Sequence, residues 1–150
     1  MHTENEITIR APLERIVALA ADVERWPDLL PHYRWVTLLE GGGDRKTVEM
    51  AARRDWFPVR WRAIQEVVRD GATPMIRYRH IGGVTRGMEV AWTFEPVGDH
   101  VRVRIRHDFR PPWPLVGGVV ADRVIGPHFV ANIAGQTLAT LKQKAEGSSQ

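Results

Sequence analysis

Val101-Arg-Val-Arg-Ile-Arg-His-Asp-Phe109 alternates strictly, with Val101, Val103, Ile105, His107 and Phe109 on one face and Arg102, Arg104, Arg106 and Asp108 on the other. Alternation with period two marks a strand that is buried on one side and wet on the other. His107 is the exception on the apolar face. A dry core accepts an imidazole only with hydrogen-bond partners, whereas a cavity lets ligand or water supply them. The pattern continues upstream. Strands are predicted over 34–40, 45–53, 56–68, 75–81 and 86–95, separated by Gly41-Gly42-Gly43, Asp70-Gly71 and Gly82-Gly83. A two-residue turn at Gly98-Asp99 sets Glu95 opposite Arg102 and Thr93 opposite Arg104, which gives part of the positive face a local partner.

The flanks are helical. Residues 6–10 read as a first strand with Ile7 and Ile9 on one face, stopped at Ala11-Pro12. Pro12 suits a helix first turn, and Leu13, Ile16, Val17 and Ala20 recur at helical spacing over 13–20. Asp22 is placed to N-cap a second, short helix that Trp26-Pro27 interrupts and Pro31 closes. Pro111, Pro112 and Pro114 end the sheet. A long helix follows from about 115 to 145, kinked or restarted at Gly126-Pro127. Val120, Val124, Ala131, Ala134, Leu138, Leu141 and Ala145 form its main apolar stripe, with Ile125, Phe129 and Ile133 beside it. That girdle is wider than a helix on a flat sheet needs. About 30 residues span about 45 Å, enough to cross a whole sheet. The expected fold class is α+β: six to seven antiparallel strands curved around a long C-terminal helix, with two short helices after the first strand. One domain over 1–146 and a loose tail over 147–150 are expected.

Composition narrows the function. The chain has 150 residues, 43% hydrophobic and 26% charged, as in a soluble globular domain. It has no cysteine, which rules out disulfides, zinc-thiolate sites and thiol nucleophiles and fits a cytoplasmic location. No signal peptide and no stretch of bilayer-spanning length are visible. Arginine supplies 18 of the 21 basic residues, without the clustering and aromatic interleaving that nucleic-acid binding needs. Apart from His2-Thr-Glu4 no His-x-Glu and no His-x₃-His pair exists, so no metal site is expected. The only serines are Ser148 and Ser149, and no glycine run lies between a strand and a helix, so serine catalysis and a phosphate cradle are not expected.

Four segments carry a family resemblance: Ile9-Arg-Ala-Pro12, Asp22-Val-Glu-Arg-Trp-Pro-Asp-Leu-Leu-Pro-His-Tyr33, Met88-Glu-Val-Ala-Trp-Thr-Phe94 and Leu138-Ala-Thr-Leu-Lys142. With the element order, they make the chain resemble the helix-grip (START/polyketide cyclase-like, SRPBCC) superfamily. That group includes START lipid-transfer domains, birch-pollen-type allergens, coenzyme-Q-binding proteins and bacterial polyketide aromatase/cyclases. The resemblance spans essentially the whole chain, and Trp26-Pro27 is its most specific element. It implies a hollow between sheet and long helix that takes up a hydrophobic molecule. In the aromatase/cyclases an arginine on a central strand is assigned a catalytic role; that position is Gln65 here, and an amide cannot protonate a carbonyl as a cation would. Tyr33, Trp61, Met88 and Trp92 match pocket positions of that branch. The segment Pro114-Leu-Val-Gly-Gly118 looks more like a ligand-binding branch.

Eleven residues are the candidate ligand contacts. His107, His80, Tyr78 and Gln65 supply polar points on inward faces. Trp61, Met88 and Trp92 supply wall, and Phe129 faces them from the helix. Trp26, Leu30 and Tyr33 form a lid. Asn132 and Gln136 lie opposite the apolar stripe and are expected in solvent. No catalytic residue and no cofactor are assigned. The leading expectation is binding of a small hydrophobic ligand (lipid, quinone or polyketide-like) in that hollow. The alternative is a polyketide aromatase/cyclase or dehydratase using His107, His80 and Tyr33 for proton transfer. A third reading has the arginine-rich face touching a partner or, transiently, an anionic membrane. Monomer and homodimer both stay open.

Overall fold

A computed structural model describes residues 2–54, 57–83, 85–110 and 127–147. Strand β1 (His2–Ile9) leads into helix α1 (Leu13–Ala21), a 3-10 turn (Val23–Arg25) and helix α2 (Trp26–Leu29). Six strands follow: β2 (Tyr33–Gly42), β3 (Arg45–Arg54), β4 (Phe57–Val68), β5 (Met75–Gly83), β6 (Glu89–Val97) and β7 (His100–Asp108). Helix α3 (Pro127–Gly147) completes the described chain. All seven strands are antiparallel in the order β1-β7-β6-β5-β4-β3-β2, so β1 and β2 form opposite edges and α1 and α2 carry the chain between them. This is the expected α+β helix-grip architecture.

The hairpin at Gly98-Asp99 has the register read from sequence: Val97 pairs with His100, Glu95 with Arg102 and Thr93 with Arg104. Arg102 bonds Glu95 at 3.5 Å and Arg104 bonds Glu6 on β1 at 2.7 Å. On the same outer face Arg62 meets Glu49 and Arg69 meets Asp44. Such exposed pairs add little stability each, but they neutralise much of the arginine charge.

Three local features differ from the sequence reading. β1 begins at His2 rather than Glu6, because its whole length pairs with β7, from His2 with Asp108 to Ile9 with Val101. β6 begins at Glu89 rather than 86, because residues 85–87 form a turn closed by Met88 N–H to Thr85 O at 2.9 Å and Gly87 N–H to His80 O at 3.0 Å. Asp22 sits at the N-cap position of the 3-10 turn without a side-chain capping bond, and Pro27 lies in the first turn of α2, which it starts rather than interrupts. Pro127 opens the described part of the long helix. The predicted helix over 115–126, Pro114–Gly118 and the tail beyond Gly147 lie outside the described residues.

The core fills the space between the inner sheet face and the helices. Val130, Ala134, Leu138, Leu141 and Ala145 of α3 are buried, on the predicted stripe. Asn132 and Gln136 are exposed and bond each other at 2.8 Å. α3 also closes the β1 edge: Lys142 Nζ donates to Thr8 O at 2.9 Å, and Asn5 Nδ2 donates to Ala131 O at 3.1 Å. One glycine required by geometry lies beside the site. Gly83 has φ +88°, and a Cβ there would lie 2.4 Å from Arg60 O. Only glycine fits that approach, beside the register shift between Arg62 and Ala63 that aligns Ala63 with His80.

Candidate functional site

The inner faces of β4 to β7, the lid and α3 enclose a cavity of about 80 Å3. Its wall is mainly apolar, and a cluster of aromatic rings shapes it. Trp26 of α2 is the keystone, 5.1 Å from Tyr33, 5.9 Å from Trp92 and 6.2 Å from Tyr78 between ring centroids. Tyr33 meets Trp61 edge-on at 6.3 Å. Trp61 stacks on His80 at 5.7 Å with 4° between the planes. Edge and offset contacts of this kind add to simple burial, so the wall is rigid without being polar.

Strand periodicity delivers the polar points. Tyr78 and His80 share a face of β5, and His107 projects from β7 to the same side; all three line the cavity. His80 is buried, and its Nδ1 lies 2.6 Å from Thr85 Oγ1, held there by the 85–87 turn. Burial, with His107 nearby, brings its pKa down to about 3. His107 is half-buried, but its Nδ1 is fully enclosed and has no hydrogen-bond partner. Burial holds its pKa down to about 4, against a weaker upward pull from Asp108. Tyr78 Oη is likewise enclosed and unpartnered, and burial raises that phenol well above its usual range. Burial also raises Tyr33, whose hydroxyl is bonded to the Thr137 side chain. Near neutral pH both imidazoles are therefore uncharged and both phenols protonated. No carboxylate, lysine or arginine is among the described residues of the wall.

Eight of the eleven candidates line this cavity: Trp26, Tyr33, Trp61, Tyr78, His80, Met88, Trp92 and His107. Leu30 is buried instead in a small adjoining void between α1, α2 and α3, which shares Trp26, Trp92 and Thr137 with the main cavity. Gln65 is inward and buried but does not reach the cavity. Its Nε2 donates to Ala21 O at 2.9 Å, satisfying a carbonyl at the C-terminal end of α1, and its Oε1 has no partner. The Phe129 side chain lies outside the described residues.

Two polar wall residues escaped the sequence reading. Thr137 of α3 donates its hydroxyl to Ile133 O at 2.8 Å, bonds Tyr33 and lies 3.3 Å from His32 Nε2. Its position one turn after Ile133 and Ala134 was the available signal, since that spacing returns to the buried stripe. Thr85 is fixed by a turn and left no periodic trace. Among the described residues no group of three or more His, Asp or Glu is arranged to hold a metal, and no helix is long and apolar enough to cross a membrane.

Comparison with known proteins agrees with this geometry. Residues 1–146 match the family model described as polyketide cyclase/dehydrase and lipid transport. A putative polyketide cyclase of Streptomyces halstedii is 34% identical over 104 residues, covering 69% of this chain and 95% of the relative. A second, from Streptomyces cyaneus, is 30% identical over 124 residues, covering 81% and 82%. The crystal structure of the ZhuI aromatase/cyclase from Streptomyces sp. R1128 superposes with a TM-score of 0.83 at 19% identity, over 100% of this chain and 96% of that one, a likeness of fold. With the family model matched along nearly its full length and a cavity where the fold places one, the chain belongs to the polyketide cyclase/dehydrase and lipid-transport family.

Proposed function

We propose that the protein binds a small, predominantly apolar and uncharged ligand in the cavity between sheet and α3. The observation that carries this reading is the pairing of a largely apolar wall with two enclosed, unpartnered polar atoms, His107 Nδ1 and Tyr78 Oη, and no charged side chain among the described residues of that wall. A buried polar atom without a partner is costly, so a ligand hydroxyl or carbonyl placed there recovers free energy. A carboxylate or phosphate would arrive unpaired in a low-dielectric space and is disfavoured. The cavity is smaller than pockets for drug-sized ligands, which run to several hundred Å3, so a polycyclic ligand must displace lid side chains, Trp26 first.

The alternative reading is cyclisation or dehydration of a polyketide-like chain, favoured by the names of the Streptomyces relatives. In that reading the cavity shape folds the substrate, and neutral His107 accepts a proton from it. Gln65, tied to Ala21 O, supplies no cation to such a reaction. Transient membrane contact through the arginine-rich face is less favoured, because Arg102, Arg104, Arg62 and Arg69 are already paired with carboxylates. A cytoplasmic location fits the lack of cysteine.

The test is native mass spectrometry with thermal shift across neutral phenols, quinones, fatty acids and phospholipids. Retention of neutral phenols or quinones, weakened by His107→Ala, supports the reading. Selective retention of fatty acids or phospholipids overturns it. Turnover of a polyketide mimic that is lost in His107→Ala moves the conclusion to the enzyme.

A further inference from the structure

We propose that the protein forms a two-fold dimer by antiparallel pairing of β2 with β2 of a second copy, centred on Thr37. β2 is a sheet edge whose only strand neighbour is β3. The opposite edge, β1, is blunted by α3, whose Lys142 occupies Thr8 O. An open apolar edge strand is a template for another strand unless it is covered, charged or bent away. β2 is apolar at its middle: Leu38 is 42% exposed and Leu39 50% exposed, two of the four large hydrophobics exposed among the described residues.

The sequence of this edge is self-complementary. It reads Arg34-Trp-Val-Thr-Leu-Leu-Glu40. A two-fold axis through Thr37 places Arg34 opposite Glu40 of the other copy, Trp35 opposite Leu39, Val36 opposite Leu38, and Thr37 opposite itself. Arg34 and Glu40 are both exposed, and neither has a partner among the described residues. By symmetry the dimer makes the Arg34–Glu40 pair twice, and residues directly opposite in antiparallel strands lie close enough to interact. Self-pairing of charge and of apolar surface about one residue selects a second copy over an unrelated strand.

The register within each sheet agrees. Val36 and Leu38 pair with Met50 and Val48, both buried, so they fall on the inner face; Thr37 pairs with Glu49 on the outer face. Irregularities between Tyr33 and Trp35 and between Leu38 and Glu40 bracket this stretch. Leu39 is the extra residue of the second irregularity, so regular backbone pairing centres on Trp35–Leu38, and Arg34, Leu39 and Glu40 act through their side chains. Such a ribbon, about 14 Å long, buries less than a standard interface, so association depends on concentration.

Sedimentation velocity of the full chain, from micromolar to near-millimolar concentration, tests this. A monomer–dimer equilibrium is expected. Arg34→Glu and Glu40→Arg should each weaken it by about tenfold, through like charges at two positions, and the double reversal should restore it to within about threefold of wild type. Because the chain has no cysteine, Thr37→Cys adds a single thiol. Opposed residues have Cα atoms about 4.5–5.5 Å apart, within disulfide range, so diamide, which takes up the two thiol hydrogens, should cross-link it into a dimer. Thr8→Cys on the other edge should stay monomeric. A monomer at every concentration overturns the proposal, as does a dimer indifferent to the charge reversals or not restored by the double variant. Cross-linking through Thr8→Cys in place of Thr37→Cys overturns it too, by moving the contact to β1.

Discussion

Two neighbouring cross-strand rows on the inner sheet face differ in how their polar groups are met. One runs Thr3, His107, Val90, Tyr78, Gln65, Lys46 from β1 to β3. The next, two residues along each strand, runs Asn5, Ile105, Trp92, Ile76, Val67. The second row is apolar beyond Asn5 and buried, with Ile105 and Trp92 also lining the cavity. The first holds four of the five enclosed side-chain atoms that lack a hydrogen-bond partner among the described residues: Thr3 Oγ1, His107 Nδ1, Tyr78 Oη and Gln65 Oε1. Buried polar atoms are normally satisfied, so four shortfalls in one row are not scatter. The difference teaches that unmet polar groups gather in one layer of the sheet. The apolar row carries core packing and, through Ile105 and Trp92, apolar cavity wall; in the polar row His107 and Tyr78 face the cavity, while Thr3 and Gln65 lie away from it.

The largest test of that division is Ile76→Ala in the apolar row. Ile76 is fully buried, and its truncation should cost about 2–5 kcal/mol in urea unfolding. A loss below about 1 kcal/mol would mean that this row is not the structural one.

Acid should act next, through the two cavity histidines: His107 in the polar row and His80, two residues from Tyr78 along β5. Burial lowers the folded-state pKa of His80 to about 3 and of His107 to about 4. The unfolded chain, with histidines near 6.5, then binds more protons than the folded chain below that pH. Stability should therefore be flat above about pH 7, fall as pH drops from about 6.5, and level off below the folded values. Buried His80 should contribute a slope approaching about 1.4 kcal/mol per pH unit, and half-buried His107 less. His80→Gln should flatten the curve; an unchanged acid limb would show that this buried histidine is not what senses pH.

Tyr78→Phe and Tyr33→Phe should separate by sign. Removing the unpartnered Tyr78 hydroxyl should leave ligand-free stability equal or up to about 1 kcal/mol higher, while neutral-ligand affinity falls about tenfold. Removing the Tyr33 hydroxyl, which is bonded to Thr137, should cost about 1 kcal/mol. Equal destabilisation by both would mean that Tyr78 Oη has a partner in solution.

The smallest effect compares Val→Thr in the two rows. Val90 stands between His107 and Tyr78, so a new hydroxyl there has partners within its row, and Val90→Thr should cost under about 0.5 kcal/mol. Val67→Thr, beside Ile76, should cost about 1–2 kcal/mol. The two values, read from thermal or urea melts, sharpen or erase the boundary between layers.

How much of this was legible in the sequence follows from which signals are local. Period-two alternation exposed every strand, and Gly98-Asp99 fixed the register of β6 against β7, so His107, Tyr78 and His80 could be placed on one face. Helical phase put Asn132 and Gln136 in solvent. What stayed hidden depends on tertiary contact. Gln65 was expected to meet ligand, but α1 docks its last turn on that amide, and strand periodicity does not say what lies above an inward residue. Thr85 is held by a turn against His80, five residues earlier, and Thr137 by a helix that brings it to Tyr33 and His32, distant in sequence. Trp26-Pro27 marked the lid, yet only packing shows Leu30 facing a separate void.

The pairing of His2 with Asp108 and of Ile9 with Val101 has a consequence during synthesis. The first strand leaves the ribosome with no partner and waits until the seventh has been made, about a hundred residues later. Until then a five-stranded meander, β2 to β6, can grow but cannot close, and the face that carries Tyr78 lies open. Contacts this distant in sequence are slow to form and leave intermediates prone to aggregation. The cavity is complete only once β7 and α3, which supply part of its wall, have been added.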